Sequence, residues 1–257
     1  MTKNKIPIGL QLFSVRGECT KNLPATLKEI NQMGYVAVEP WGYGGESLEW
    51  MGYSCTELRQ ILDDNGLTCC GIHLSTQALL GENLTRTIEF NQTLGNRFLI
   101  IAGDQSRMSS MDTIRELGVI LDQAADQLAD EGMFTGYHAH GFDFQKVSGE
   151  TAWNHLFSLT KPEVIMQLDT RNCAGGGEDP VAVLEAFPHR ARSLHLGEYG
   201  NPENSIIGSG EGEWEKIFHL CENNQNTEWY VVEQGGPDGL GFEIPRQCLD
   251  ALREMGK

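Results

Sequence analysis

Short apolar runs recur along the chain at 8–13, 35–38, 67–74, 98–102, 134–137, 164–168, 193–196 and 230–232, roughly every 30 residues. That interval accommodates a strand, a helix and two loops, the repeat of parallel strands joined by helical crossovers. The stretches between them carry helical period. In 112–129 the apolar positions Ile114, Leu117, Leu121, Ala124, Ala125 and Leu128 fall on one face. Helices are predicted likewise over 23–33, 54–65, 150–159, 179–187, 213–222 and 244–255. Pro24 stands in a first-turn position and Gly34 where a C-cap belongs. Gly66 closes 54–65 in the same way, and Asp179 with Pro180 forms a cap and first-residue pair. Alternation over eight units, with no GxGxxG turn after Leu12, predicts a closed parallel (β/α)8 barrel rather than an open doubly wound sheet. No linker, low-complexity tract or charge run interrupts 1–257, so a single domain is expected.

Charge narrows the partners. The chain carries 19 Lys+Arg against 36 Asp+Glu, a formal net charge of −17. There is no basic stripe to neutralise phosphates, which excludes duplex nucleic acid and an anionic membrane surface and favours small neutral ligands or cations. The polar start at 1–8 lacks an apolar leader, and no stretch approaches the roughly 18 uninterrupted apolar residues of a membrane span. The seven cysteines are scattered, without a CxxC pair. A reduced, cytoplasmic setting is expected, with Cys69 and Cys70 as small buried fillers.

In a barrel of this kind the chemistry sits at the carboxyl ends of the strands, so the residues closing each apolar run are the informative ones. Here they are Glu39, His73, Asp104, His138 with His140, Asp169, His195 and Glu233, all metal-ligand or acid–base types. Individually each has a plain alternative. His73 could be a hydrogen-bonded core histidine, Trp41 a packing residue rather than a wall for a sugar ring, and Arg16 a solvated side chain rather than a clamp on a substrate oxygen. His155, His189 and His219 lie on predicted helices or their ends and are read as packed or solvated. The last four closers are harder to dismiss together. Carboxylates and imidazoles turned inward on adjacent strands cost desolvation unless a cation compensates them. One divalent ion, Mn, Co, Zn, Fe or Ni, would do so and could stabilise an alkoxide or enediolate while a neighbouring base removes a proton.

The motifs "GLQLFSVR", "VEPWG", "GYHAHGFDF", "LDTRNCAGGGEDP", "LHL", "GSGEGEW" and "VVEQ", in that order, resemble the xylose-isomerase-like TIM-barrel superfamily, the sugar phosphate isomerases and epimerases. The resemblance spans nearly the whole chain. It implies one ion held by a residue from each of the fifth to eighth strands, here His138, Asp169, His195 and Glu233, with His140 as the fallback on the fifth. It further implies that Asn172 contacts substrate and that Glu39, His73 and Arg16 line the pocket. Glu233 would double as the proton-transfer base.

The chain departs from the pattern in two places. Epimerases of the superfamily resemble one another in opposing two metal-bound glutamates, and only Glu233 remains here. Glu39, His140 or Asp143 is therefore a candidate for the second proton-transfer group, with Asp143 also a pocket candidate. "HLGE" puts Gly197 and Glu198 where the superfamily often has Lys-Asp. The glycines of "GSGEG" are either a phosphate cradle or a tight turn, and Glu211 among them argues against a dianion.

The expected function is metal-dependent isomerisation or epimerisation of an unphosphorylated sugar, keto-sugar or polyol-derived ketone, with a homo-oligomer possible. A lyase or hydrolase of keto-sugars using the same site is the nearest alternative. A non-catalytic sugar-binding barrel is the alternative from another class.

Overall fold

Parallel pairing carries the chain around a closed ring. In the computed structural model, which describes residues 5–200 and 206–257, β1 (Ile8–Gln11) lies between β8 (Trp229–Val232) and β2 (Ala37–Glu39). The first four residues of the stretch read for a leader lie outside the described residues. β3 comes in two pieces, Thr68–Cys69 against β2 and Ile72–Leu74 against β4 (Phe98–Ile101). β4 pairs with β5 (Phe134–His138), and β5 with β6 (Ile165–Gln167). β7 (Ser193–Leu196) pairs with β8. An Asp169–His195 bridge closes the ring between β6 and β7, where the His195 N–H donates to the Leu168 carbonyl at 2.9 Å. The predicted eight-stranded barrel is the fold.

Alternation along each strand sorts two layers inside the ring. Gly9, Ala37, Ile100, Gly136, Ile165, Ser193 and Val231 occupy one inward level, mostly small or apolar. Two residues further on, the same parity brings Gln11, Glu39, His138, Gln167, His195 and Glu233 to the carboxyl-end level. The intervening residues, such as Leu10, Val38, Tyr137, Met166, Leu194 and Tyr230, are buried against the surrounding helices. Layering of this kind puts the polar groups where the strands end.

The helices follow their caps. α1 (Arg16–Met33) starts earlier than 23–33, but its backbone breaks at Asn22, whose side chain caps the Ala25 N–H at 3.1 Å, so Pro24 does open the second segment. α2 (Cys55–Asp64) has Ser54 and Glu57 in a reciprocal capping box. α3 (Gly81–Leu94) escaped the periodicity reading because its buried face includes Thr87 and Asn91, which bond backbone carbonyls. α4 (Met111–Ala129) matches its prediction within one residue. α5 (Ala152–Leu159) starts two residues late because Glu150–Thr151 pairs with Lys146–Val147. The short α6 (Thr170–Gly175) was not foreseen. α7 (Pro180–Ala186) carries the Asp179 cap as read, and α8 (Trp214–Asn223) and α9 (Glu243–Glu254) complete the ring. All seven cysteines are buried and outside any disulfide, and among the described residues no helix is long and apolar enough to cross a membrane.

Arg190 fastens the entry of β7. It is buried, and its guanidinium donates to the carbonyls of Phe157 (2.5 Å), Lys161 (2.7 Å) and Val164 (3.0 Å) and to the Thr160 hydroxyl (2.9 Å). Arg190→Met keeps most of the volume but strands those acceptors. It is expected to cost on the order of 3 kcal/mol, read as a lowered midpoint in urea unfolding. An unchanged midpoint would show that water replaces the guanidinium freely.

Candidate metal centre

Four ligand-type side chains meet at the carboxyl end of the barrel. His138 on β5, Asp169 after β6, His195 on β7 and Glu233 after β8 present one ligand atom each, all within 4.8 Å of one another. Asp169 caps α6, accepting the Asn172 N–H at 2.6 Å. Glu233 Oε2 lies 2.7 Å from His195 Nδ1 and 3.6 Å from His138 Nε2. Its side chain is 21% exposed, the most open of the four.

A second set of groups underlies these and fixes their orientation. Glu39 is fully buried, its Oε2 accepting from Gln11 Nε2 at 2.7 Å and from His195 Nε2 at 2.6 Å, with His73 Nε2 at 3.2 Å. Gln167 Nε2 donates to the other Glu39 oxygen and to the Ser193 hydroxyl, both at 3.0 Å. That orients the amide so that Gln167 Oε1 accepts from His73 Nε2 (2.7 Å) and His138 Nδ1 (3.1 Å). His138 therefore carries its proton on Nδ1 and turns the lone pair of Nε2 toward Glu233. His195 donates through Nε2 to Glu39 and turns Nδ1 to the same place. Each imidazole thus has one nitrogen held by an outer partner and the other turned to a shared point, and His195 would give up to a cation the Nδ1 proton it shares with Glu233.

Electrostatics agree with a missing positive charge. Burial and then the Glu233 charge push the Asp169 carboxyl up to about 7. Burial opposes a charged His195, yet Glu39 and Glu233 lift it to about 10. Burial opposes ionisation of Glu39 too, and His73 and His195 overcome it, holding the carboxyl at about 2. Burial, followed by neighbouring His73 and His195, drives His138 well below its usual range. Without a cation, the protein must place a proton on His195 to reconcile two carboxylates. Two imidazoles and two carboxylates are a donor set that suits a divalent transition ion, so the residues fit the group that the sequence implied.

The remaining sequence candidates divide. Arg16 and Asn172 line a cavity of about 260 Å³ together with Phe13, Ser14, Asp169, Arg171, Glu233 and two glycines. Glu39 and His73 were expected at the pocket wall but are buried and absent from the cavity lining, Glu39 bonded to His195 and His73 bonded to Gln167 and packed against His138 and His195. Glu39 has donors on both oxygens, His195 among them, and no solvent contact. Asp143 departs furthest from expectation: it is fully buried, accepting the His140 N–H at 2.7 Å and the Tyr137 hydroxyl at 3.1 Å, and so holds the turn after β5. Asp104 turns away to accept the Thr76 hydroxyl at 2.7 Å. His140 stacks on Phe142 beside the site and, among the described residues, belongs neither to the His138, Asp169, His195 and Glu233 group nor to the deeper His73, His138 and His195 group, whereas His138 belongs to both. Trp41 packs edge-on against Phe13 and Trp50, backing the rim rather than lining the cavity. Gln11 and Gln167 were missed because amides were not counted as chemistry. The parity of β6, which reaches Gln167 two residues before Asp169, was the signal available.

The glycine-rich loop has an occupant of its own. Glu198 is buried and accepts the N–H groups of Tyr199 (3.0 Å), Gly208 (2.5 Å) and Gly212 (3.1 Å) and the indole N–H of Trp214 (3.0 Å). The amides that a phosphate would need are spent on a carboxylate of the protein.

A family profile described as xylose isomerase-like TIM barrel matches residues 27–255. The chain belongs to this family. An inosose dehydratase from Clostridium beijerinckii is 24% identical over 147 residues, 49% of each protein, and the chain spans about half the length of the curated relatives it first matches. A solved sugar phosphate isomerase/epimerase from Parabacteroides distasonis superposes with a TM-score of 0.84 at 21% identity, covering 98% of this chain and 97% of the other. An L-ribulose 3-epimerase gives 0.71 at 14% identity, covering 98% and 94%. At such identities the structural likenesses carry the fold.

Asp143 supplies a test of the turn it holds. Burial raises its carboxyl to about 7 from an ordinary 3.8, so the folded state binds a proton that the unfolded chain releases. Unfolding free energy should therefore fall between about pH 4 and 7, by on the order of 1 kcal/mol per pH unit. Asp143→Asn cannot ionise and should flatten that part of the curve in denaturant titrations. An unaltered slope would mean that Asp143 is ionised throughout.

Proposed function

We propose that the chain is a divalent-metal-dependent isomerase acting on an unphosphorylated sugar, keto-sugar or polyol-derived ketone, moving a proton from the carbon beside the carbonyl to the carbonyl carbon. The observation that carries this reading is the convergence of His138, Asp169, His195 and Glu233, of which Asp169 and Glu233 line the cavity, with one nitrogen of each imidazole already bonded to Gln167 or Glu39. When bound, the ion supplies positive charge to the substrate's oxygens as the adjacent carbon loses its proton.

The protein's own groups then have distinct tasks. Glu233 lines the cavity, and burial against, with the His195 bond for, its ionisation leaves the carboxyl below its usual range. It is the group able to take a proton from carbon. Asn172, its amide held by the Ala139 carbonyl at 2.9 Å, and the aromatic rim around Phe13 orient the chain of carbons. The filled loop around Glu198 supports an unphosphorylated ligand. One carboxylate on one face suits transfer between neighbouring carbons, whereas inversion of a centre needs a second base opposite.

A second reading, dehydration, is favoured by one observation: the curated relatives matched are inosose dehydratases. It uses the same proton removal and then expels a hydroxide from the next carbon.

Metal analysis of the purified protein should find close to one divalent ion per chain. Incubation with ketoses and inososes in D2O should return substrate and isomer carrying deuterium, and Glu233→Gln should slow that exchange by roughly a hundredfold or more. Loss of water from the product would install the dehydratase reading. Absence of stoichiometric metal would remove both.

A further inference from the structure

Resting on that metal-dependent reading, we propose that the substrate carries a carboxylate, received by Arg16 and Arg171 at the mouth of the cavity. The chain has eleven arginines. Eight of them, Arg59, Arg86, Arg97, Arg107, Arg115, Arg192, Arg246 and Arg253, lie within 3.6 Å of a side-chain carboxylate. Arg190 spends its donors on backbone carbonyls and the Thr160 hydroxyl. Two remain, and both line the same cavity as Asp169 and Glu233.

Their present engagements are slight. Arg16 reaches the Phe13 carbonyl at 3.3 Å, and its nearest carboxylate, Asp238, is 4.0 Å away and 91% exposed. Arg171 makes a 3.4 Å contact with the Gln234 amide oxygen. In a chain with nearly twice as many acidic as basic residues, two guanidiniums with no carboxylate closer than 4.0 Å among the described residues form a local positive patch at one opening, solvated by water and open to an anionic ligand. The Arg16 guanidinium lies over the Phe13 ring, 4.4 Å from its centroid, which limits its freedom before any ligand arrives. A third feature points the same way. Ser14 is 4% exposed, lines the same cavity, and its hydroxyl has no partner.

Charge bookkeeping selects the sign of the ligand. A divalent ion balances Asp169 and Glu233 at the inner end, so the two guanidiniums at the outer end remain uncompensated. The paired N–H edges of guanidinium match a planar carboxylate. A phosphate would call on the backbone amides of the loop after β7, which already serve Glu198. A polyhydroxy keto acid is thus the ligand class, its ketone end toward Glu233 and its carboxylate toward Arg16, Arg171 and Ser14.

The test uses ligands that cannot turn over. Several stereoisomeric hexonates, the matching hexitols and hexitol 6-phosphates would be titrated calorimetrically into metal-loaded protein, with metal content measured on the same samples. The tightest hexonate should bind roughly tenfold or more better than its hexitol, and Arg16→Gln and Arg171→Gln should each erase most of that preference. Equal binding of hexonate and hexitol, no binding by any member, tighter binding of the phosphates, or a preference that survives in both variants would overturn the inference. Survival in both variants would mean that the ion holds the carboxylate. If the protein takes up no metal, the function proposed above fails, whereas the hexonate preference and its loss in the two variants still decide the carboxylate question. Full metal with no charge preference removes only the carboxylate.

Discussion

Glu39 is the group on which the site's arrangement depends. A carboxylate with no solvent contact is costly unless donors surround it, and here they come from β1, β3, β6 and β7: Gln11, His73, Gln167 and His195. Those strands lie on different sides of the ring, so one anion ties the barrel across its own interior. β3 shows the geometric consequence. It breaks between Cys69 and Ile72, and a Cβ on Gly71 would sit 2.2 Å from Glu39 Oε1. Glycine there gives the carboxylate its room. Removing Glu39 would leave several buried donors unpaired at once, which is why its role is better understood as orientation of His195 than as chemistry on a ligand.

Global and local charge point in different directions. The excess of acidic residues argues against phosphate-rich partners. Most of the arginines are consumed by that same excess, through helical pairs such as Arg59 with Asp63 and long-range pairs such as Arg97 with Glu228. An unpaired guanidinium consequently carries more information here than it would in a balanced protein. Arg16 and Arg171 stand out against this background only once their neighbours are known.

How much of this was legible in the sequence varies with the kind of signal. Strand spacing and the residues closing each run located the barrel and the converging side chains, because a period of two and a parallel closed sheet leave little choice about which residues point inward. The same reasoning erred at Asp104 and Asp143. Both follow strand ends in sequence, but they lie in turns, where local hydrogen bonds to Thr76, Tyr137 and the His140 amide decide direction. Gln11 and Gln167 were invisible to a search for titratable groups, although both sit at inward positions. α3 was hidden by Thr87 and Asn91 on its buried face. Glu198 stands where the superfamily often has aspartate, next to the missing lysine at Gly197, and its partners, ten to sixteen residues away in Gly208, Gly212 and Trp214, lie beyond any local pattern.

The fifth-strand histidine determines how the proposed chemistry must be arranged. A glutamate there could accept a proton on one oxygen while the other met a cation, and so could mirror Glu233 across a substrate. His138 cannot. Its Nδ1 proton is committed to Gln167, itself held by Glu39 and Ser193, and burial among other imidazoles keeps the ring neutral. The one remaining lone pair, on Nε2, faces the same point as Glu233 and His195. A neutral imidazole so placed has neither a proton to deliver nor a site to receive one once a cation lies there. In the proposed reaction proton traffic then falls to Glu233, and of the three candidates for a second base Glu39 and Asp143 are buried and bonded, which leaves His140, beside His138 and with its Nδ1 unpartnered among the described residues.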